Sequence, residues 1–183
     1  MSLKEYKKKR DFRKTKEPRS ETTNGYEDIF VIQKHKASSL HYDFRFSLEG
    51  VLKSWAVPKG PSTDPSVKRL AIMTEDHPLA YADFEGTIPE GEYGAGKVII
   101  WDRGNYENKK PNKTLQEGLK EGHITIMLDG YKLKGGYALT RINKEKNQWL
   151  LVKMNDEYAD RETDILKSKP KSIESRKSLE EIK

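Results

Sequence analysis

The 183-residue chain contains no cysteine. A disulfide framework, a zinc–thiolate site and a thiol nucleophile are therefore excluded. A reducing, cytosolic setting fits that composition. No apolar run approaches the roughly 18 residues that a membrane-spanning helix needs. The amino terminus has no apolar segment of the kind a secretory leader carries, so none is expected. Apolar residues are scarce, at 34% against 35% charged, so the core must close around the 3 Trp, 9 Tyr and 5 Phe. The glycine-rich run 84–97 (FEGTIPEGEYGAGK) has neither a GK[ST] ending nor GxGxxG spacing, which rejects a nucleotide P-loop. It reads as tight turns that bring backbone close to a substrate.

What is present is positive charge, and it is unevenly placed. Residues 1–20 hold nine Lys/Arg against three Asp/Glu, which equals the whole net charge of +6. Such a basic arm can track phosphates, serve as a localisation signal or be a solvated terminus. An anionic partner, nucleic acid first, fits the balance. Residues 20–25 read as a polar linker. Residues 156–183 mix both charges densely and are expected to fray or to form a surface helix after Pro170. The chain thus divides into a basic arm or helix (1–25), a folded middle (26–155) and a charged tail (156–183).

The middle has a periodicity of two, with β-branched and aromatic residues enriched. Strands are expected at 28–33, 40–48, 51–57, 69–74, 97–102, 123–128, 131–142 and 148–154. Glu49-Gly50 and Asp129-Gly130 signal two-residue hairpins. One helix is expected near 114–119 and another over 4–13. About eight short strands predict a mainly β protein, a closed or nearly closed barrel with a peripheral N-terminal helix. Trp55, Trp101 and Trp149 read as core rather than as base-stacking platforms, and His123 as structural.

The stretch 40–48 (LHYDFRFSL) carries the chemistry. Alternation places Tyr42, Phe44 and Phe46 on one face and His41, Asp43, Arg45 and Ser47 on the other. A turn at 36–39 returns His35 to the same place. His35, His41 and Asp43 make an N₂O set suited to a divalent ion such as zinc, manganese or iron. An ordinary His–Asp hydrogen bond on a strand face fits the same pattern. If 69–77 runs as a regular strand, Arg69, Glu75 and His77 share a second such face.

The runs HKASSLHYDFR (35–45), GVLKSWAVPKGP (50–61), EDHP (75–78), YADFEGTIPEGEYGAG (81–96) and WDRG (101–104) resemble the 3′-phosphoesterase module of bacterial DNA ligase D. So do Lys68-Arg69-Leu-Ala, the closing Trp149-Leu-Leu-Val-Lys and the opening YKKKRDFR (6–13), so the likeness covers roughly residues 5–155. The resemblance implies a β-barrel metalloenzyme that acts on DNA 3′ ends in non-homologous end joining. It implies removal of a terminal ribonucleoside, then hydrolysis of the 3′-phosphate that remains, with one divalent ion. Manganese is the first choice and zinc or cobalt the alternatives. By position, His35, His41 and Asp43 match metal ligands, and Arg45 and His77 match groups that hold and activate the phosphate. Lys59, Arg69, Glu75 and Tyr81 match further pocket positions. Arg10, Asp11 and Glu17 match residues needed for ribonucleoside removal. A free-standing version, or an excised module, is expected, monomeric and cytoplasmic, with DNA ends as substrate and a ligase, polymerase or Ku-like protein as partner. A non-catalytic DNA-end binding module and an interaction subunit of a ligase are the alternatives.

Overall fold

A computed structural model describes residues 3–19 and 25–183; of the expected linker, only Gly25 lies among them. The strands are β1 (Ile29–Lys36), β2 (Leu40–Leu48), β3 (Val51–Val57), β4 (Lys68–His77), β5 (Gly86–Ile88), β6 (Gly96–Asn108), β7 (His123–Gly130), β8 (Lys134–Asn143) and β9 (Gln148–Lys153). All pair antiparallel in the order β1-β2-β3-β4-β9-β8-β7-β6, and β6 returns to β1 to close an eight-stranded barrel. The short β5 pairs with the first residues of β6, ahead of β7. Sequence patterning had no access to β5, because glycine and proline dominate its surroundings.

The barrel interior is filled by Phe30, Ile32, Tyr42, Phe44, Phe46 and all three tryptophans, each at most 4% exposed. The tryptophans are therefore core, as their context suggested. The alternate residues Ile29, Val31, Leu52, Val98 and Ile100 are also buried, in a second cluster with Tyr6, Tyr81 and Phe84. Strands β1, β2, β3 and β6 are thus covered on both faces, inside by the core and outside by the N-terminal arm and residues 79–88. That outer layer positions the site.

Turn chemistry explains where the strands end. Leu48 faces Val51 across Glu49-Gly50, and both turn residues have positive φ (52° and 77°), as a type I′ hairpin requires. Asp129-Gly130 does not form the second such turn. The chain runs on and reverses through residues 131–133, whose N–H groups donate to the Asp102 carboxylate at 2.8–2.9 Å. The N-terminal helix α1 (Leu3–Lys8) is shorter than the span 4–13. Asp11 ends it, since its carbonyl receives the Lys14 N–H and its carboxylate the Arg13 N–H. Helix α2 (Leu115–Glu121) begins at the Thr114 cap, whose hydroxyl accepts from Glu117 N.

The tail, expected to fray or to form a surface helix, lies along the barrel. Helix α3 (Ile165–Ser168) buries Ile165 against the core. Lys169 O then receives the Trp101 indole N–H at 2.8 Å, and Ile173 N donates to Ile100 O at 3.0 Å. Leu179 and Ile182 cover Ile99. These contacts are too widely spaced to show as a period. Ile165, Leu179 and Ile182 each contribute about 1.5–3 kcal/mol by burial. Deleting residues 160–183 should therefore lower Tm by more than about 10 °C in scanning fluorimetry. An unchanged Tm would mean that the tail adds no stability.

Candidate metal centre

The β1–β2 register sets the site. It places His35 opposite His41 and Gln33 opposite Asp43. Paired residues share a face, so imidazole, imidazole, carboxylate and amide meet on the outer side of the barrel. One ligand atom from each of His35, His41 and Asp43 lies within 4.8 Å of the other two. Asp43 Oδ2 is 3.6 Å from His35 Nδ1 and 3.2 Å from His41 Nε2. The other nitrogen of each ring is already engaged. His35 Nε2 donates to Gly94 O at 2.7 Å, and His41 Nδ1 to Ser39 O at 3.3 Å. Those carbonyls fix the tautomers so that both free nitrogens face Asp43, the arrangement that holds an imidazole ready for a metal.

Burial alone would push the Asp43 carboxyl up. Arg45 and the two imidazoles overcome it and hold the acid well below the ordinary carboxylate range. Asp43 is thus anionic although only 7% exposed. Burial would likewise lower His41, but its contact with Asp43 raises it. An anion with two imidazoles, one half-exposed to the cavity, is a donor set that fits a borderline divalent ion.

Arg45 comes next along β2. Its Nη2 lies 3.4 Å from Asp43 Oδ2, its Nε donates to Gln33 Oε1 at 2.8 Å, and its guanidinium packs on the Tyr81 ring at 4.9 Å. Gln33 is itself anchored, donating to Tyr81 O at 2.8 Å and Phe84 O at 3.0 Å. The guanidinium is therefore fixed in place, with Gln33 as its positioning residue. Sequence reasoning missed Gln33. It alternates with His35, but only the register against Asp43 shows its role.

His77 enters through an irregularity. Leu52 faces His77 whereas Ser54 faces Thr74, so β4 carries an extra residue there. Thr74, Glu75 and His77 consequently all line one cavity of about 450 Å³ with His35, His41, Asp43, Arg45, Tyr81 and Arg10. The bulge removes Arg69 from that company, correcting the expected shared face of Arg69, Glu75 and His77. Arg69 is absent from the cavity lining, and its Nε has no hydrogen-bond partner among the described residues. His77 Nδ1 donates to Glu75 O at 2.9 Å, which turns Nε2 outward as an acceptor. Burial, then Arg45 and Arg10, hold this imidazole well below its usual pKa and keep it neutral.

The arm completes the wall. Arg10 bridges two carboxylates, with Nε 2.8 Å from Glu17 and Nη1 3.6 Å from Glu75, and it stacks on Tyr6 at 4.0 Å. Lys9 reaches Glu75 at 3.1 Å. Glu17 receives the Tyr81 hydroxyl at 2.7 Å; burial and this anion raise the phenol well above its normal value. Arg10, Glu17, Glu75 and Tyr81 are thus one network. Asp11 stands outside it, paired with Arg13 at 3.0 Å. Lys59 is exposed beside Pro58, which does line the cavity. Tyr93, half-exposed at the rim under Lys9, was also missed. His123 bonds Thr140 on β8 and takes no part.

Known proteins resemble this chain in sequence. The sequence model of the DNA ligase D 3′-phosphoesterase domain matches residues 33–141. The multifunctional non-homologous end joining protein LigD of Pseudomonas aeruginosa is 52% identical over 187 aligned positions, covering 97% of this chain and 22% of that protein. LigD of Mycobacterium tuberculosis, a multifunctional non-homologous end joining DNA repair protein, is 46% identical over 157 positions, covering 85% of this chain and 20% of its own. The chain therefore spans about a fifth of the length of the curated relatives it matches. Most of the barrel, with every candidate metal ligand, falls within the matched residues, and the chain belongs to the DNA ligase D 3′-phosphoesterase domain family.

Proposed function

We propose that this chain hydrolyses phosphoesters at the 3′ ends of DNA strands with the help of one divalent metal ion, manganese first. It removes a terminal ribonucleoside to leave a 3′-phosphate, then converts that phosphate to a 3′-hydroxyl. The observation that carries this reading is the convergence of an N₂O donor set, a fixed guanidinium and a neutral histidine in one cavity. Family membership and the end-joining role named for the relatives support the same reading.

His35 Nδ1, His41 Nε2 and Asp43 Oδ2 would hold the ion, since carbonyl partners already leave those atoms free. Bound there, a divalent ion neutralises phosphate oxygens and lowers the pKa of water. Arg45 presents the guanidinium nitrogens not used by Gln33 to the phosphate. His77 holds no proton on Nε2 in the resting protein, so it enters the reaction as an acceptor. The anionic phosphate beside it, a monoanion in the diester step and a dianion in the monoester step, offsets the influence of Arg45 and Arg10 and favours the proton that His77 takes from water, allowing it to return a proton to the departing oxygen. Arg10, held between Glu17 and Glu75, closes the side where the departing nucleoside sits. Asp11, Lys59 and Arg69 lie off the cavity lining and are given no part in the step at the scissile bond. DNA ends are the substrate, with the ligase, polymerase and Ku-like components of end joining as partners.

A 5′-labelled primer–template ending in one ribonucleotide, incubated with Mn²⁺ and resolved by gel, should yield first a 3′-phosphate and then a 3′-hydroxyl product. An unchanged primer would overturn the proposal. His77→Gln should reduce kcat for both steps by about 10²- to 10⁴-fold, with Mn²⁺ affinity as in the parent protein. Loss of Mn²⁺ binding in that variant would place His77 among the ligands instead. Gln33→Leu unties Arg45 and should reduce both rates; parental rates in this variant would show that Arg45 needs no such support.

A further inference from the structure

Of the exposed large apolar and aromatic side chains among the described residues, Tyr93, at 50%, is the one that lines the cavity. Its backbone is held on both flanks. Glu92 N donates to Pro89 O at 3.2 Å and Ala95 N to Glu92 O at 3.0 Å, so Tyr93 sits within two successive turns. The next residue, Gly94, accepts at its carbonyl from His35 Nε2 at 2.7 Å. Tyr93 therefore stands one residue, about 3.8 Å of backbone, from the residue that orients a candidate metal ligand. On the other flank the arm approaches, with Lys14 Nζ 3.8 Å from Glu92 Oε1.

The ring is occupied on one side only. Lys9 Nζ lies 4.9 Å and the Arg10 guanidinium carbon 5.5 Å from its centroid. Both cations also reach the same Glu75 carboxylate, at 3.1 and 3.6 Å, so they approach the ring from one side. The other face is left to solvent, which accounts for the exposure. An aromatic face held in water at a cavity mouth gains from a second flat ring laid upon it.

We propose that Tyr93 is the stacking platform for the base of the departing nucleoside, and so a residue that determines specificity for a nucleoside end over a bare sugar. The proposal rests on the DNA 3′-end reading given above. The choice of base follows from the neighbours, since Arg10, packed on this ring, closes the side where the departing nucleoside sits. Stacking suits the task because every base offers a π face and a strand can end in any of them.

Binding without turnover tests this separately from catalysis. Two fluorescein-labelled primer–templates, one ending in a ribonucleotide and one in an abasic ribose, are titrated by anisotropy without divalent metal. The last residue is left unpaired in both, so that the template does not compete for the base. The parent protein should bind the ribonucleotide end about 5- to 150-fold more tightly, the range for one stacked base. Tyr93→Ala should bind both ends with the affinity that the parent shows for the abasic end. Tyr93→Phe and Tyr93→Trp should keep the preference. With Mn²⁺ present, Tyr93→Ala should raise KM for ribonucleoside removal while kcat holds, because a base remote from the reacting phosphorus is gripped equally in ground and transition states. KM for a 3′-phosphate primer, which has no departing base, should not follow. A parent that binds the two ends alike, or Tyr93→Ala that keeps the preference, would overturn the platform. An equal rise in KM for both primers would also overturn it, since the ring would then serve the retained strand. Parental protein that shows the preference yet cleaves neither primer would support the stacking assignment and overturn the catalytic reading.

Discussion

The site depends on one carboxylate. Asp43 Oδ2 faces His35, His41 and Arg45 at 3.2–3.6 Å. It stays anionic in a buried place because a cation and two imidazoles surround it. Removing its charge would strand Arg45, itself 4% exposed, at a cost of about 3–5 kcal/mol for a broken buried pair. In the function proposed above, metal ligation and phosphate recognition would be coupled through this single oxygen, which orders the imidazoles for a cation and would aim the guanidinium at a phosphate.

Around that oxygen the fold supplies rigidity from two sides. The barrel fixes β1 against β2 by an unbroken seven-pair register, so His35, His41, Gln33 and Asp43 cannot slide independently. From outside, the arm brings Arg10 and Glu17 to Tyr81 and Glu75, closing the cavity with a network of opposite charges. The basic arm is therefore more than a solvated terminus: part of its charge is neutralised inside the protein. Net charge describes the whole chain but not this cavity, where neutral His77 and anionic Asp43 sit beside fixed cations.

Much of this was legible in the sequence. The alternation in 40–48 separates Phe44 and Phe46 from Asp43 and Arg45, and the structure keeps that separation. The barrel and its eight closing strands follow from the same period. What alternation does not carry is register and irregularity. Gln33 is an ordinary polar residue until its pairing with Asp43 is known. The β4 bulge, which brings both Glu75 and His77 to the cavity and leaves Arg69 off its lining, has no signature in the run KRLAIMTEDH. Turn 131–133 likewise depends on Asp102, about thirty residues away. The tail packs through a few isolated aliphatic residues amid charge, which composition reads as solvated.

The central claim is that Asp43 and its two imidazoles hold one divalent ion, and Mn²⁺ titration followed by the EPR signal of the free ion tests it most directly. The parent protein should bind one ion, and Asp43→Asn, shown to be folded by circular dichroism, should bind none at the same concentrations. An unchanged stoichiometry and affinity in folded Asp43→Asn would contradict the account.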